Sequence, residues 1–249
     1  MENKENFENN YPVFTKDSSD TLNNMKTFPL LSLTPEILAE ICEDLSPKDL
    51  YTLTIVCKKL RNFLWATSGC TQQIWRKSRL LMFSLDSLLP PKGMCEQQYI
   101  WLKELGSTCQ VCRAQVDKSE RCLIWEFKRL CCRPCLSIKT TSLEDLRNNI
   151  PEEVLSCLPN VNDIKPSNFF EACLVTLPGS RYQNPYYWTT DVYKAYREYH
   201  ALNANEREKW VEKKKAEVEE FNQSIEELKS KDMTEFLTSL MRYTMTQAN

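Results

Sequence analysis

The segment from Leu33 to Arg61, LTPEILAEICEDLSPKDLYTLTIVCKKLR, constrains this chain more than any other stretch. Leu33, Ile37, Leu38, Ile41 and Leu45 recur at spacings of three and four, the period of one helical face. Leu50, Leu53, Val56, Cys57 and Leu60 repeat the pattern after a break at Ser46-Pro47. Two or three short helices are predicted. A helical unit this small buries too little surface to be stable without a metal, disulfides or a partner. Its apolar faces therefore predict a partner.

The punctuation supports these helices. Thr34-Pro35-Glu36 places a hydroxyl at an N-cap, proline at the first helical position and an acid in the first turn. Ser46-Pro47-Lys48-Asp49 repeats the device, with Asp49 where a capping box wants a carboxylate. The run Lys58, Lys59 and Arg61 suits a helix C-terminus, whose carbonyls attract cations.

Together these residues resemble the F-box, the motif by which substrate receptors of cullin-RING ubiquitin ligases dock on a Skp-type adaptor. The resemblance rests on Leu33, Pro35, Glu36, Ile37, Leu38, Ile41, Leu45, Asp49, Leu50, Leu53, Val56, Cys57 and Arg61, with Ile74-Trp75 further on. It departs from the family at one place: the usual leucine-proline pair is Leu33-Thr34-Pro35, an inserted threonine or a one-residue shift. The resemblance implies partner contacts from Leu33, Pro35, Ile37, Leu38, Ile41, Leu45, Asp49, Leu50, Leu53, Val56 and Cys57. It also implies a non-catalytic subunit that carries a protein substrate to the ligase and leaves that substrate's identity open.

Composition excludes several other classes. Acids and bases nearly balance, with a net charge of −2, so no global electrostatic case exists for nucleic acid or anionic membrane. No apolar run is long enough to span a bilayer. Residues 1–27 are polar and Asn-rich and lack the apolar centre of a signal peptide, which predicts a disordered leader. An intracellular protein is expected, cytoplasmic or nuclear. There is no phosphate-binding loop, dinucleotide fingerprint or HExxH.

In a reducing compartment, clustered cysteines bind metal rather than form disulfides. Cys42, Cys57, Cys70, Cys95, Cys157 and Cys173 are scattered and read as small buried hydrophobes. The stretch CQVCRAQVDKSERCLIWEFKRLCCRPC is different. Cys109 and Cys112 form one C-x2-C pair and Cys132 and Cys135 a second, with 19 residues between them. That is the spacing of a structural zinc site, in which two knuckles complete a tetrahedron. Cys131 stands as an alternative to Cys132, and Cys122 as a third candidate. Cys122 to Phe127 alternates like a strand leading into the second knuckle.

Catalytic zinc usually has three protein ligands, often histidine, and an open position. The single histidine, His200, lies far downstream, so Zn²⁺ held by four cysteines is expected to be structural. The alternative is a zinc ribbon that binds nucleic acid through Lys128, Arg129 and Arg133 with Trp125 and Phe127 interleaved. Glu120 and Glu126 dilute that patch.

The rest reads as short helices and aromatic connections. Gln72 to Phe83 forms a further helix, Pro90-Pro91 breaks the chain, and Tyr99 to Leu105 forms a helix stopping at Gly106. Ser142 and Pro151 open short helices, and residues 160–188 look irregular, with aromatics at Phe169, Phe170, Tyr182, Tyr186, Tyr187 and Trp188 read as core. Thr190-Asp191 opens a helix to about Leu202. Asn205-Glu206-Arg207-Glu208 caps a longer one to about Lys229, lying along the domain, and Phe236, Leu237, Leu240 and Met241 form a last short helix. The fold expected is mainly α with a small zinc-binding β module. It divides into a leader (1–27), F-box (28–80), helical linker (81–106), four-cysteine module (107–140) and helical, aromatic C-terminal region (141–249), the candidate substrate-recognition part.

Overall fold

The computed structural model describes residues 29–82, 89–117, 120–162 and 184–247. The predicted leader over 1–27, together with Phe83, Cys173, Phe169, Phe170 and Tyr182, lies outside the described residues, as do the side chains of Phe236, Leu237, Leu240 and Met241. The chain is mainly helical, with short paired strands. It divides into two compact units between Gly106 and Ser107.

In the first unit a 3₁₀ turn at Pro29–Ser32 precedes α1 (Pro35–Glu43), α2 (Pro47–Val56), α3 (Lys58–Leu64) and α4 (Gly69–Met82). The second predicted cap is made as expected. The Asp49 N–H donates to Ser46 Oγ at 3.2 Å, and the Ser46 hydroxyl donates back to the Asp49 carboxylate at 2.6 Å. Thr34 occupies the N-cap of α1 but makes no side-chain bond to a helix N–H. Cys57 is extended (φ −156°, ψ 163°), so the predicted helix breaks there. Lys58, Lys59 and Arg61 consequently lie in α3 instead of closing α2. Arg61 still serves the carboxyl end of α2, because its Nε donates to the Thr54 carbonyl at 3.0 Å.

The core of this unit is built from Leu38, Cys42, Leu50, Leu60, Leu64, Ile74 and Trp75. Trp75 satisfies its indole N–H on the Leu64 carbonyl at 2.8 Å, which ties α4 to the end of α3. A short helix, α5 (Glu96–Ile100), follows the Pro90-Pro91 break and runs into one π-helical turn, Trp101–Leu105. The Gly106 N–H closes that turn on the Trp101 carbonyl at 2.7 Å. A Cβ at Gly106 would lie 3.0 Å from the same oxygen, so the close approach favours a residue without a side chain.

Polar groups lock α5 onto α4. Arg79 and Glu96 form a bidentate pair, at 2.9 and 3.1 Å, with both side chains almost fully buried. Gln72 donates to Gln97 at 2.7 Å, and Gln97 donates to the Ala66 carbonyl at 2.8 Å. Removing one partner of a buried pair leaves an uncompensated charge, at a cost of about 3–5 kcal/mol. Arg79→Met or Glu96→Gln alone is therefore expected to lower the urea midpoint sharply, whereas the double apolar replacement Arg79→Met/Glu96→Leu recovers most of the loss. Equal losses in singles and double would contradict this account.

In the second unit, β1 (Cys122–Ile124) and β2 (Arg129–Cys131) pair antiparallel, with Cys122 opposite Cys131. The predicted strand is thus shorter and folds back on itself. The turn, Trp125 to Lys128, contains no Gly, Pro or Asn to advertise it. Lys128 itself takes the left-handed conformation (φ 53°) and donates its N–H to Trp125. α6 (Arg133–Lys139), β3 (Thr140–Ser142), α7 (Leu143–Leu146) and α8 (Glu152–Leu155) follow.

β4 (Tyr186–Trp188) pairs with β3, so the end of the segment expected to be irregular is a strand. Tyr187 and Trp188 are core residues. Trp188 packs with Phe127, Leu136 and the cysteines, while Tyr187 packs with Leu146, Val154 and Val192. α9 (Thr189–Ala201) leads to α10 (Ala204–Gln247). The cap of α10 sits on Asn203 and not Asn205: the Glu206 N–H donates to Asn203 Oδ1, and the Asn203 N–H to the Glu206 carboxylate. Asn203 and Asn205 each have a glutamate three residues beyond, Glu206 and Glu208, so spacing alone does not separate the two caps. One helix replaces the two expected. Asp232 and Glu235 interrupt the apolar seam, but no Gly or Pro interrupts the backbone.

Candidate functional site

Two features of the chain are candidates for function, one in each unit. In the second unit, Cys109, Cys112, Cys132 and Cys135 bring their four Sγ atoms within 4.8 Å of one another. Among the described residues this is the group able to hold a metal ion. The first knuckle is a tight turn. Its Cys109 N–H donates to the Ala114 carbonyl and the Arg113 N–H to the Cys109 carbonyl, each at 2.8 Å, with Arg113 left-handed (φ 64°). The N–H groups of Val111 and Cys112 point at Cys109 Sγ, at 3.4 and 3.5 Å. Cys132 is the N-cap of α6, which places Cys135 in the helix's first turn.

Gln110 joins the two knuckles, and sequence reasoning passed over it. Its backbone N–H donates to the Leu130 carbonyl at 3.0 Å, and its side-chain oxygen accepts the Leu130 N–H at 2.8 Å. This double bond to β2 sets the first knuckle beside the second. Only its place inside a C-x2-C turn hinted at such a role.

The thiols differ in electrostatics. Burial pushes Cys109 up, but the N–H groups of Cys112, Cys132 and Val111, with the Cys112 thiol, outweigh it and bring the pKa down to about 6. The Cys135 N–H favours the Cys132 thiolate, yet burial and the neighbouring thiols leave Cys132 above its ordinary value. Cys135 is also raised, by burial and then by the other thiols.

The arrangement fits a tetrahedral thiolate site. A Zn–S bond of about 2.3 Å implies sulfur atoms about 3.8 Å apart. Cys112 and Cys132 stand at 3.8 Å. Cys131 and Cys122 fall outside the group and face each other across the hairpin, buried. Burial pushes Cys131 up to about 12 and raises Cys122 as well. Cys131 is fully buried at the end of β2, whereas Cys132 caps the helix with its sulfur beside the other three.

In the first unit, the residues singled out between Leu33 and Cys57 separate into three sets. Leu38 and Leu50 are core. Pro35, Ile37, Ile41, Asp49 and Val56 are exposed, and Leu33, Leu45, Leu53 and Cys57 are half-buried. Ile37, Ile41 and Val56 leave 45, 42 and 62% of their surface in solvent, and Ile55, which sequence reasoning did not select, leaves 43%. The other exposed large apolar residues among those described are Leu80, Leu81, Leu89, Ile138 and Tyr193. Two short adjacent helices therefore expose four β-branched apolar side chains.

Residues 30–65 match the F-box domain, so the chain contains an F-box domain over α1 to α3. No curated protein and no solved structure matches the chain. The N-terminal unit thus carries an F-box domain, and a four-cysteine group that fits a metal site lies downstream. Among the described residues no helix is long and apolar enough to cross a membrane.

Proposed function

We propose that this protein is a substrate receptor of a cullin-RING ubiquitin ligase, docking through its F-box on a Skp-type adaptor. The observation that carries this reading is the set of exposed Ile37, Ile41, Ile55 and Val56 on a domain that matches the F-box. Large apolar side chains left in water on α1 and α2 of such a domain support a surface that another protein covers. The receptor's contribution to ubiquitin transfer is proximity: holding a target lysine near the conjugating enzyme raises its effective concentration, and no catalytic group of this chain is required. The place of action is intracellular, where that machinery resides.

The second unit carries a structural Zn²⁺ on Cys109, Cys112, Cys132 and Cys135, and residues 141–249 contribute the face that holds the substrate. Four thiolates saturate the ion and leave no position for water, so the metal supplies folding energy and no Lewis-acid chemistry. A nucleic-acid role is less well supported by the cations flanking the second knuckle. Lys128 lies 4.4 Å over the Phe221 ring, and Arg129 packs over Trp188 at 5.2 Å with Asp191 at 3.8 Å. These side chains are engaged within their own unit.

Co-purification with a recombinant Skp-type adaptor tests the receptor reading. A stoichiometric complex is expected, and failure of the intact chain to bind would sink it. Affinity purification with the proteasome inhibited then retrieves substrates, as proteins that accumulate with the intact chain.

A further inference from the structure

The departure of this chain from the family pattern, Thr34 between Leu33 and Pro35, creates a Thr-Pro dipeptide at the head of the F-box. The sequence contains one other serine or threonine followed by proline, Ser46-Pro47. The two differ in structure. Ser46 is half-buried, its hydroxyl is engaged with Asp49, and Pro47 is buried. Thr34 and Pro35 are both exposed, Thr34 is extended (φ −66°, ψ 154°), and its hydroxyl caps no helix N–H.

We propose that Thr34 is a phosphorylation site for a proline-directed protein kinase, and that its phosphate weakens docking at the adaptor face beginning beside it. This inference rests on the adaptor reading above. Thr34 is exposed and extended, the backbone form a kinase cleft accepts at the acceptor residue, and Pro35 opens α1 directly after it. In the transfer the Thr34 hydroxyl oxygen forms a bond to the γ-phosphorus of ATP, the bridging bond to ADP breaks, and the hydroxyl proton leaves to the kinase's base.

The product places a charge of about −1.5 to −2 between half-buried Leu33 and exposed Ile37, one turn further on. Its immediate neighbour Glu36 is also an anion. The Glu36 carboxyl is held below its ordinary range by its own backbone N–H and then by the Thr34 hydroxyl, a donor that phosphorylation removes. A partner covering Ile37 and Ile41 would have to strip water from that phosphate, which costs association. A partner docked over this face also shields Thr34 from the kinase.

The test uses the full chain, an activated MAP-type kinase with ATP, and a recombinant Skp-type adaptor. A single phosphate is expected on Thr34, absent from Thr34→Ala, and it should weaken adaptor affinity by about tenfold or more. Thr34→Ala itself should bind like the unmodified chain, and a preformed adaptor complex should be modified more slowly. A phosphate on Ser46, or none, overturns the site. Unchanged affinity of the phosphorylated chain overturns the switch while leaving the adaptor reading intact. If the unmodified chain does not dock, the adaptor reading and the switch both fall, and the mass spectrum alone decides the site.

Discussion

Cys132→Ser is expected to strip the metal from this protein, whereas Cys131→Ser, one residue away, leaves it in place. The intact chain should carry one zinc per molecule, released in proportion to the thiols blocked. Structural zinc in such modules contributes about 10–16 kcal/mol of apparent binding energy. A domain's net stability is about 5–15 kcal/mol, so losing the ion removes most of what holds the second unit together. Cys109, Cys132 and Cys135 pack in one cluster with Phe127, Leu136 and Trp188, and that cluster should loosen when the ion is lost. Near-ultraviolet circular dichroism from Trp125 and Trp188 should collapse in Cys132→Ser and in chelated protein. Cys131→Ser should cost only the modest penalty of a core substitution. Because cysteine must lose its proton to bind, affinity should fall as pH is lowered. A metal content equal in both variants would refute the assignment of Cys132, and a metal-free chain that melts unchanged would refute the site altogether.

Ile41→Glu and Val56→Lys are expected to abolish adaptor docking while leaving the first unit folded. Both side chains already face water, so a charge there costs the free protein little, within about 0.5 kcal/mol. At an interface each loses an apolar contact and buries an unpaired charge, a cost of about 2 kcal/mol or more, or roughly thirtyfold in affinity. The opposite signs matter: joint loss shows that the partner requires apolar surface, not one polarity of charge. Leu50→Asp should also abolish binding, but by unfolding, since Leu50 is completely buried and a carboxylate there has no partner. Thermal melts separate the two causes. Wild-type affinity in both surface variants would contradict the receptor reading.

Sequence order alone carried much of the helical plan. Proline with a preceding hydroxyl marked the starts of α1 and α2, and the three-four spacing marked their inner faces. The four cysteines were equally legible, because a C-x2-C turn is a local object that presents two sulfurs whatever surrounds it. What escaped was non-local or unadvertised. The Trp125 to Lys128 turn uses no turn-forming residue, and β4 at Tyr186–Trp188 exists through pairing with a strand more than 40 residues earlier. The choice of Asn203 over Asn205 as cap was not in the spacing, because each has a glutamate three residues on.

The linear pattern by itself determined that α1 and α2 would be amphipathic and that two knuckles could share one ion, since spacing fixes which side chains emerge together. Only the tertiary structure decided which apolar residues stay dry. Leu38 and Leu50 share a periodicity with Ile37, Ile41 and Val56, and a helix's spacing defines a stripe without saying how wide the neighbouring helices will cover it. Packing against Leu60, Leu64, Ile74 and Trp75 drew that line, and the part of the stripe left outside is the surface on which the proposed function rests.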